Sequence, residues 1–185
     1  MRWVVLGILV LAILWVIWTY NLLVSLRHRI QNAWKQIDVQ LKRRHDLIPN
    51  LVEAVKGYMR YEQETLEKVM EARSKAVSSR SVKESAQAED LLTQSLGRIF
   101  ALMENYPDLK ANENVLRLQE ELTTTENQIA FARQYYNDLV MRFNMRQEVF
   151  PSSLIAKFFN FQPSEFFAVP EAEKATPRVD LSLRA

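Results

Sequence analysis

The side chains best able to do chemistry are few and far apart. His28 and His45 are the two histidines of the chain, and it has no cysteine. No glycine or proline lies between Gly7 and Pro49. On one helix through that stretch the histidines would stand about 25 Å apart, too far to share a metal ion. His45 precedes Asp46, but adjacent helical residues do not face each other, so this is no base with its orienter. Both histidines are expected in polar surface or hinge positions. Glu113, Glu120, Glu121 and Glu126 line one helical stretch, and Glu62, Glu64, Glu67 and Glu71 another. Di-iron bundles combine such glutamates with Glu-x-x-His, which does not occur here, so these carboxylates read as a solvated face pairing with Lys and Arg. The three glycines, Gly7, Gly57 and Gly97, form no phosphate loop, and there is no G-x-S-x-G elbow. The residues therefore predict no catalytic group, no metal site and no bound cofactor: a protein that is not an enzyme.

Charge narrows the partners. Net charge is +2, from 24 basic and 22 acidic side chains. That balance argues against a nucleic-acid binder, which carries a strong basic excess. The densest basic run is Lys42-Arg43-Arg44-His45. On a straight helix Lys42 stands about 30 Å beyond Tyr20, well past the Debye length of about 8 Å, so its own membrane does not reach it. Lys42, Arg43 and Arg44 are thus candidates for a partner surface or for solvation. Arg27 and Arg29 are better placed to meet lipid phosphates.

The elements that would position these residues are helical. Residues 3–18 carry no polar side chain. With the positions that follow they approach the roughly 20 residues that cross a bilayer. Trp15, Trp18 and Tyr20 stand where an interfacial aromatic belt belongs. Residues 1–24 are predicted to be a transmembrane anchor, not a cleaved leader, because no small-residue cleavage site follows. The basic excess after the span places the soluble domain on the cytoplasmic side. From Leu22 the apolar positions Leu26, Ile30, Ala33, Ile37 and Leu41 step by three and four, with Trp34 beside them. Two readings meet at Pro49: a kink in a continuing helix, or a new helix capped by Asp46. The pattern resumes at Leu51, Val55 and Tyr58 and continues through Leu66, Val69 and Ala76, and the first clear break is 78–81. A third helix over 82–105 is predicted to bury Ala88, Leu92, Ser95, Ile99, Leu102 and Tyr106, with Leu91, Leu96, Phe100 and Met103 widening the stripe. A fourth begins after Asn112 and ends near Glu148, with a seam at Val115, Leu118, Leu122, Thr125, Ile129, Ala132, Tyr136, Leu139 and Phe143. A short helix follows over 152–159, and 169–185 reads as a disordered tail. The expected fold is all-α: one N-terminal transmembrane helix, an antiparallel bundle of about four long helices over 25–168, and a short C-terminal helix.

Three segments resemble the LemA family: YNLLVSLRHRIQNAWKQIDVQLKRRHDLIPNLVEAVKGY, ENYPDLKANENVLRLQEELTTTENQIAFARQYYND and FPSSLIAKFFNF. The resemblance covers about residues 20–168. It implies a protein of the bacterial inner membrane with one N-terminal span, a long antiparallel helical bundle, and an adaptor or scaffold role without established catalysis. A ligand- or metal-binding module, or an enzyme of unknown type, is the rival class. Partners expected are membrane lipid, further copies of the chain, and a membrane protein such as a protease. Self-assembly is expected through Trp34, on a second face of the first helix, and through the aromatics Phe158, Phe159 and Phe161, with Phe166 and Phe167 beyond them; the alternative for these aromatics is that they fold back and cap their own bundle.

Overall fold

The computed structural model describes residues 1–167, so the expected tail at 169–185 lies outside the described residues. Six helices follow one another: α1 Arg2–Lys56, α2 Gln63–Ser78, α3 Val82–Met103, α4 Pro107–Lys110, α5 Glu113–Glu148 and α6 Ser152–Phe158. The fold is all-α, as the periodicity predicts. The first part of α1 packs against almost nothing: Trp3 is 86% exposed, Leu11 68% and Trp18 60%. A helix apolar on every side and unburied in its own domain suits hydrocarbon, and α1 is long and apolar enough to cross a membrane.

Beyond the span, α1 and α5 run antiparallel. Trp34 meets Tyr136, Arg44 meets Glu126, and Tyr58 meets Asn112 at the far end. The α2–α3 hairpin joins them over the distal half only. Its core there contains Ile48, Leu51, Val55, Leu66, Val69, Leu92, Ile99 and Leu122. The membrane-proximal half has its own core, with Leu23, Ile30, Ile37, Ile129, Tyr136 and Phe143. Two helices alone cannot enclose a core, and here α6 and the segment after it supply the third wall.

That segment is tied down by two asparagines that mimic a backbone. Asn144 Nδ2 donates to the Ser164 carbonyl and Ser164 N–H donates back to Asn144 Oδ1, both at 2.9 Å. Asn137 does the same with Phe167, at 3.0 and 2.9 Å. The two asparagines are seven residues apart, about 10.5 Å along a helix. Three extended residues, 164 to 167, cover about the same length. The registers therefore match, and Phe167 is delivered into the core, fully buried.

α1 continues through Pro49 as helix. A proline here removes the N–H that would bond the carbonyl four residues back. That carbonyl belongs to His45, and Arg73 Nε from α2 donates to it at 2.6 Å. The chain turns instead after Lys56, over 57–62, a break that the apolar pattern runs straight through because Met59 plugs the core there. On α3 the buried stripe is Ser85, Glu89, Leu92, Leu96, Ile99 and Met103. The expected stripe is correct at Leu92, Leu96, Ile99 and Met103. Ala88, Ser95, Leu102 and Tyr106 are only half-buried, because the true seam passes through a glutamate that a purely apolar pattern skips. α5 is capped by Asn112, whose Oδ1 accepts from Asn114 and Val115 N–H at 3.0 and 3.3 Å. Seven of the nine seam positions on α5 are buried, and Leu118 and Ala132 are half-buried.

Candidate functional site

On α1 the buried seam runs Ile37, Leu41, Arg44, Ile48, Leu51 and Val55, in steps of four and three. Arg44 occupies a core position on this seam and is 1% exposed. Its Nη1 lies 3.2 Å from Glu89 Oε2 and 3.0 Å from Glu126 Oε2. Its Nη2 donates to Thr93 Oγ1 at 2.7 Å. His45 Nε2 contacts the other oxygen of Glu89 at 2.6 Å. Glu89 is fully buried, and α3 delivers it between two helices. On α5, Thr125 precedes Glu126 and is also buried, and its hydroxyl donates to the Glu121 carbonyl at 2.7 Å.

These residues form one polar layer between the two apolar cores. Leu41, Ala86 and Ile129 lie on its membrane-proximal side, and Ile48, Leu92 and Leu122 on its distal side. A buried charge is tolerated only when paired and hydrogen-bonded, and here the guanidinium meets two carboxylates and a hydroxyl. Such a layer sets helix register, since sliding any of α1, α3 or α5 by one turn strands a charge.

A cleft of about 410 Å³ opens beside the layer, lined by Trp34, Lys42, His45, Arg73, Arg80 and Ser85 among others. His45 is the member of the layer that borders it. Among the described residues no group of three or more His, Asp or Glu side chains is arranged to hold a metal.

The sequence-derived candidates separate. Arg44 does not face a partner or solvent, and His45, 9% exposed, is not a surface or hinge residue. Arg44 is buried because it completes the heptad seam, and His45 because it sits beside that seam against Glu89. Glu126, its side chain still 40% exposed, pairs with Arg44 from the edge of the solvated face. Lys42 and Arg43 are exposed, and Arg43 reaches Glu121 at 3.9 Å. Arg27 and Arg29 are exposed just above the span. Trp34 is not an open second face: it packs on Tyr136 and Phe167, each at 5.7 Å between ring centres. Phe159 and Phe161 lie against their own Tyr20, at 4.7 and 5.9 Å, and Arg27 covers Phe161 at 5.6 Å. Of the two readings of these aromatics, Phe161 follows the second and packs on its own bundle, in the half that lacks α2 and α3, while Phe159 stays 45% exposed. Phe158 is 81% exposed. Missed by the sequence reading were Glu89, Thr93, Asn137 and Asn144. Glu89 could have been found from its place in the 85–89–92–96–99–103 stripe.

Among solvent-facing surfaces, a groove of about 660 Å³ between α1 and α5 is flanked by Val39, Phe131 and Tyr135. They are 62%, 73% and 51% exposed. Phe131 and Tyr135 are one turn apart on α5 and make a second apolar stripe outside the bundle.

Fold and site define a class: an antiparallel helical bundle built on the extension of an apolar N-terminal helix, with a buried ion-pair layer dividing its core. The chain belongs to the LemA family, whose family model matches residues 33–181. It is similar to Protein LemA of Metamycoplasma hominis, at 28% identity over 156 residues, covering 83% of this chain and 71% of that protein.

Proposed function

We propose that this protein is a membrane-anchored, non-enzymatic scaffold or adaptor of the bacterial inner membrane, which works by assembling with copies of itself and docking protein partners. The observation that carries the reading is the exposed stripe of Val39, Phe131 and Tyr135 along the α1–α5 groove. These side chains lie opposite a seam that already encloses the core, so folding gains nothing from them. Apolar residues clustered on a surface mark interaction sites. The occupant is a second copy of the chain. Spans held in one bilayer orient the bundles side by side and raise their effective concentration. An isologous contact then needs one self-complementary patch, and this groove has apolar rims with Lys35, Gln36 and Gln128 between them.

The test is the assembly state of full-length protein in detergent, by size exclusion with light scattering. Wild type is expected to run as an oligomer, and the double change Phe131→Ser and Tyr135→Ser to shift it toward monomer with its helical spectrum unchanged. A wild-type monomer across the working concentration range would end the reading.

The cleft beside His45 favours a second reading, a module that binds an anionic ligand through Lys42, Arg73 and Arg80, which outnumber the carboxylates of Asp38 and Asp46 in the same lining. A small anion found on natively purified protein by mass spectrometry, and lost on Arg80→Ala, would support that reading over the scaffold.

A further inference from the structure

We infer that the corner between α5 and α6 is itself a membrane-contact element, inserted into the headgroup region and outer acyl chains beside the α1 span. This rests on the reading that α1 crosses a bilayer, and adds a second attachment point to it.

The corner lies at the depth of the span. Val149, Phe150, Pro151 and Ser152 line one small cavity together with Trp15, Trp18, Leu22 and Leu23 of α1. Counted from Trp3, the roughly 20 residues that cross the hydrocarbon core end near Leu22. A segment alongside Trp15 to Leu23 therefore sits within about two helical turns of the hydrocarbon boundary. At that level water is scarce, and what the corner exposes is apolar: Phe150 75%, Leu154 58%, Phe158 81% and Val149 51%. α6 divides cleanly. Ser152, Ile155 and Ala156 face the bundle, while Leu154 and Phe158 point away from it.

The backbone is prepared for the same environment. A turn in an apolar medium must satisfy its own carbonyls. The Ser152 hydroxyl lies 2.7 Å from the Arg146 carbonyl and 2.9 Å from that of Val149, and so serves the end of α5. Val149 N–H donates to Met145 and Ser153 N–H to Val149, at 3.0 and 2.9 Å.

Charge fits as well. Arg146 lines that cavity, Lys157 is in the last turn of α6 and Arg27 lies over Phe161, all three exposed, where anionic phosphates would lie, and long basic side chains can reach up to them from an apolar position. Glu148 opposes this, but it too is exposed, on the last turn of α5. Trp15, Trp18 and Tyr20 thus form only part of the aromatic belt, with Phe150 and Phe158 completing it on a second element.

The absence of cysteine allows a direct test. Full-length protein carrying one nitroxide, at Phe150→Cys, Phe158→Cys, Leu6→Cys or Tyr61→Cys, is reconstituted into vesicles of phosphatidylcholine and phosphatidylglycerol. Relaxation by oxygen, which concentrates in lipid, is compared with relaxation by a water-soluble nickel chelate. The labels at 150 and 158 are expected to favour oxygen, as at Leu6, and that at Tyr61 to favour nickel. If 150 and 158 follow Tyr61 while Leu6 stays in lipid, this inference is overturned and the anchor stands. If Leu6 is also in water, both fall. If 150 and 158 are shielded from both agents and show spin–spin broadening that disappears on dilution with unlabelled protein, a second copy covers the corner and the lipid assignment is wrong. Each labelled chain is checked for an unchanged helical spectrum, and Leu154→Cys replaces Phe150→Cys if that variant does not fold.

Discussion

Glu89 holds a guanidinium with one oxygen and an imidazole with the other, at 3.2 and 2.6 Å, in a fully buried site. Removing it leaves the buried Arg44 with only the Thr93 hydroxyl and Glu126, whose side chain is 40% exposed. Glu89→Ala is therefore expected to cost about 3–5 kcal/mol, the range for breaking a buried pair from one side, as read by denaturant unfolding of the full chain in detergent. Glu64 gives the contrast. The hydrogen bond and charge of Lys68 hold its carboxyl below the usual range, but the group is fully exposed. Its contribution is present above the ordinary carboxylate pKa and lost as pH falls through the lowered one, and screening leaves it slight. Glu64→Ala should leave the unfolding midpoint unchanged. Tyr136 responds at the other end of the pH scale. Burial, helped by the nearby Glu165 charge, pushes its phenol up, and its hydroxyl donates to the Glu165 carbonyl at 2.9 Å. A group raised in the folded state stabilises below its unfolded pKa of about 10, and that stability is lost as pH rises through the folded value. Tyr136→Phe is expected to cost about 1 kcal/mol at neutral pH and to remove part of the alkaline fall in stability. An alkaline limb identical to wild type would disprove the assignment.

α1 owes its continuity through Pro49 to another element. The proline leaves the His45 carbonyl without its helical donor, and Arg73 of α2 replaces it. The two residues should be coupled. Arg73→Met in the wild-type background leaves a half-buried carbonyl unmet and should cost about 1.5–3 kcal/mol, the worth of a hydrogen bond from a charged donor. In a Pro49→Ala background the helix supplies its own N–H, and the same change should cost clearly less. A double-mutant cycle measures the difference, and strict additivity would show that Arg73 does not act through this carbonyl. The extended segment 161–167 depends on α5 in the same way. It has no strand partner, and Asn137 and Asn144 serve in place of one.

The described residues form a lever about as long as α1, with the apolar N-terminal segment at one end and the α2–α3 hairpin at the other. The basic excess after the span predicts that this lever stands in the cytoplasm. Tyr61 is 96% exposed in the loop between α1 and α2, so a cysteine there reports the side directly. Tyr61→Cys should resist a membrane-impermeant thiol reagent in intact spheroplasts and react after lysis. Ready labelling of intact cells would place the bundle outside.

Helix content, the apolar span, the α5 seam with its Asn112 cap, and the breaks before α3 and α4 were all legible in the residues, because each depends on local periodicity or on one or two neighbours along the chain. The polar layer was not legible in the same way. Arg44 and Glu89 lie on core seams, but a charge is normally evidence against burial, and only the meeting of α1, α3 and α5 supplies the partners that reverse that rule. The course through Pro49 was equally undecided, since the donor to the freed His45 carbonyl is 28 residues from it along the chain. The C-terminal aromatics carried the same ambiguity. Phe158 and Phe161 are the same kind of residue in one short segment, yet one is exposed and the other packs on Tyr20 and Phe143. Which of them is covered depends on the half of the bundle that α2 and α3 leave open, a property of the assembled helices and of no single segment.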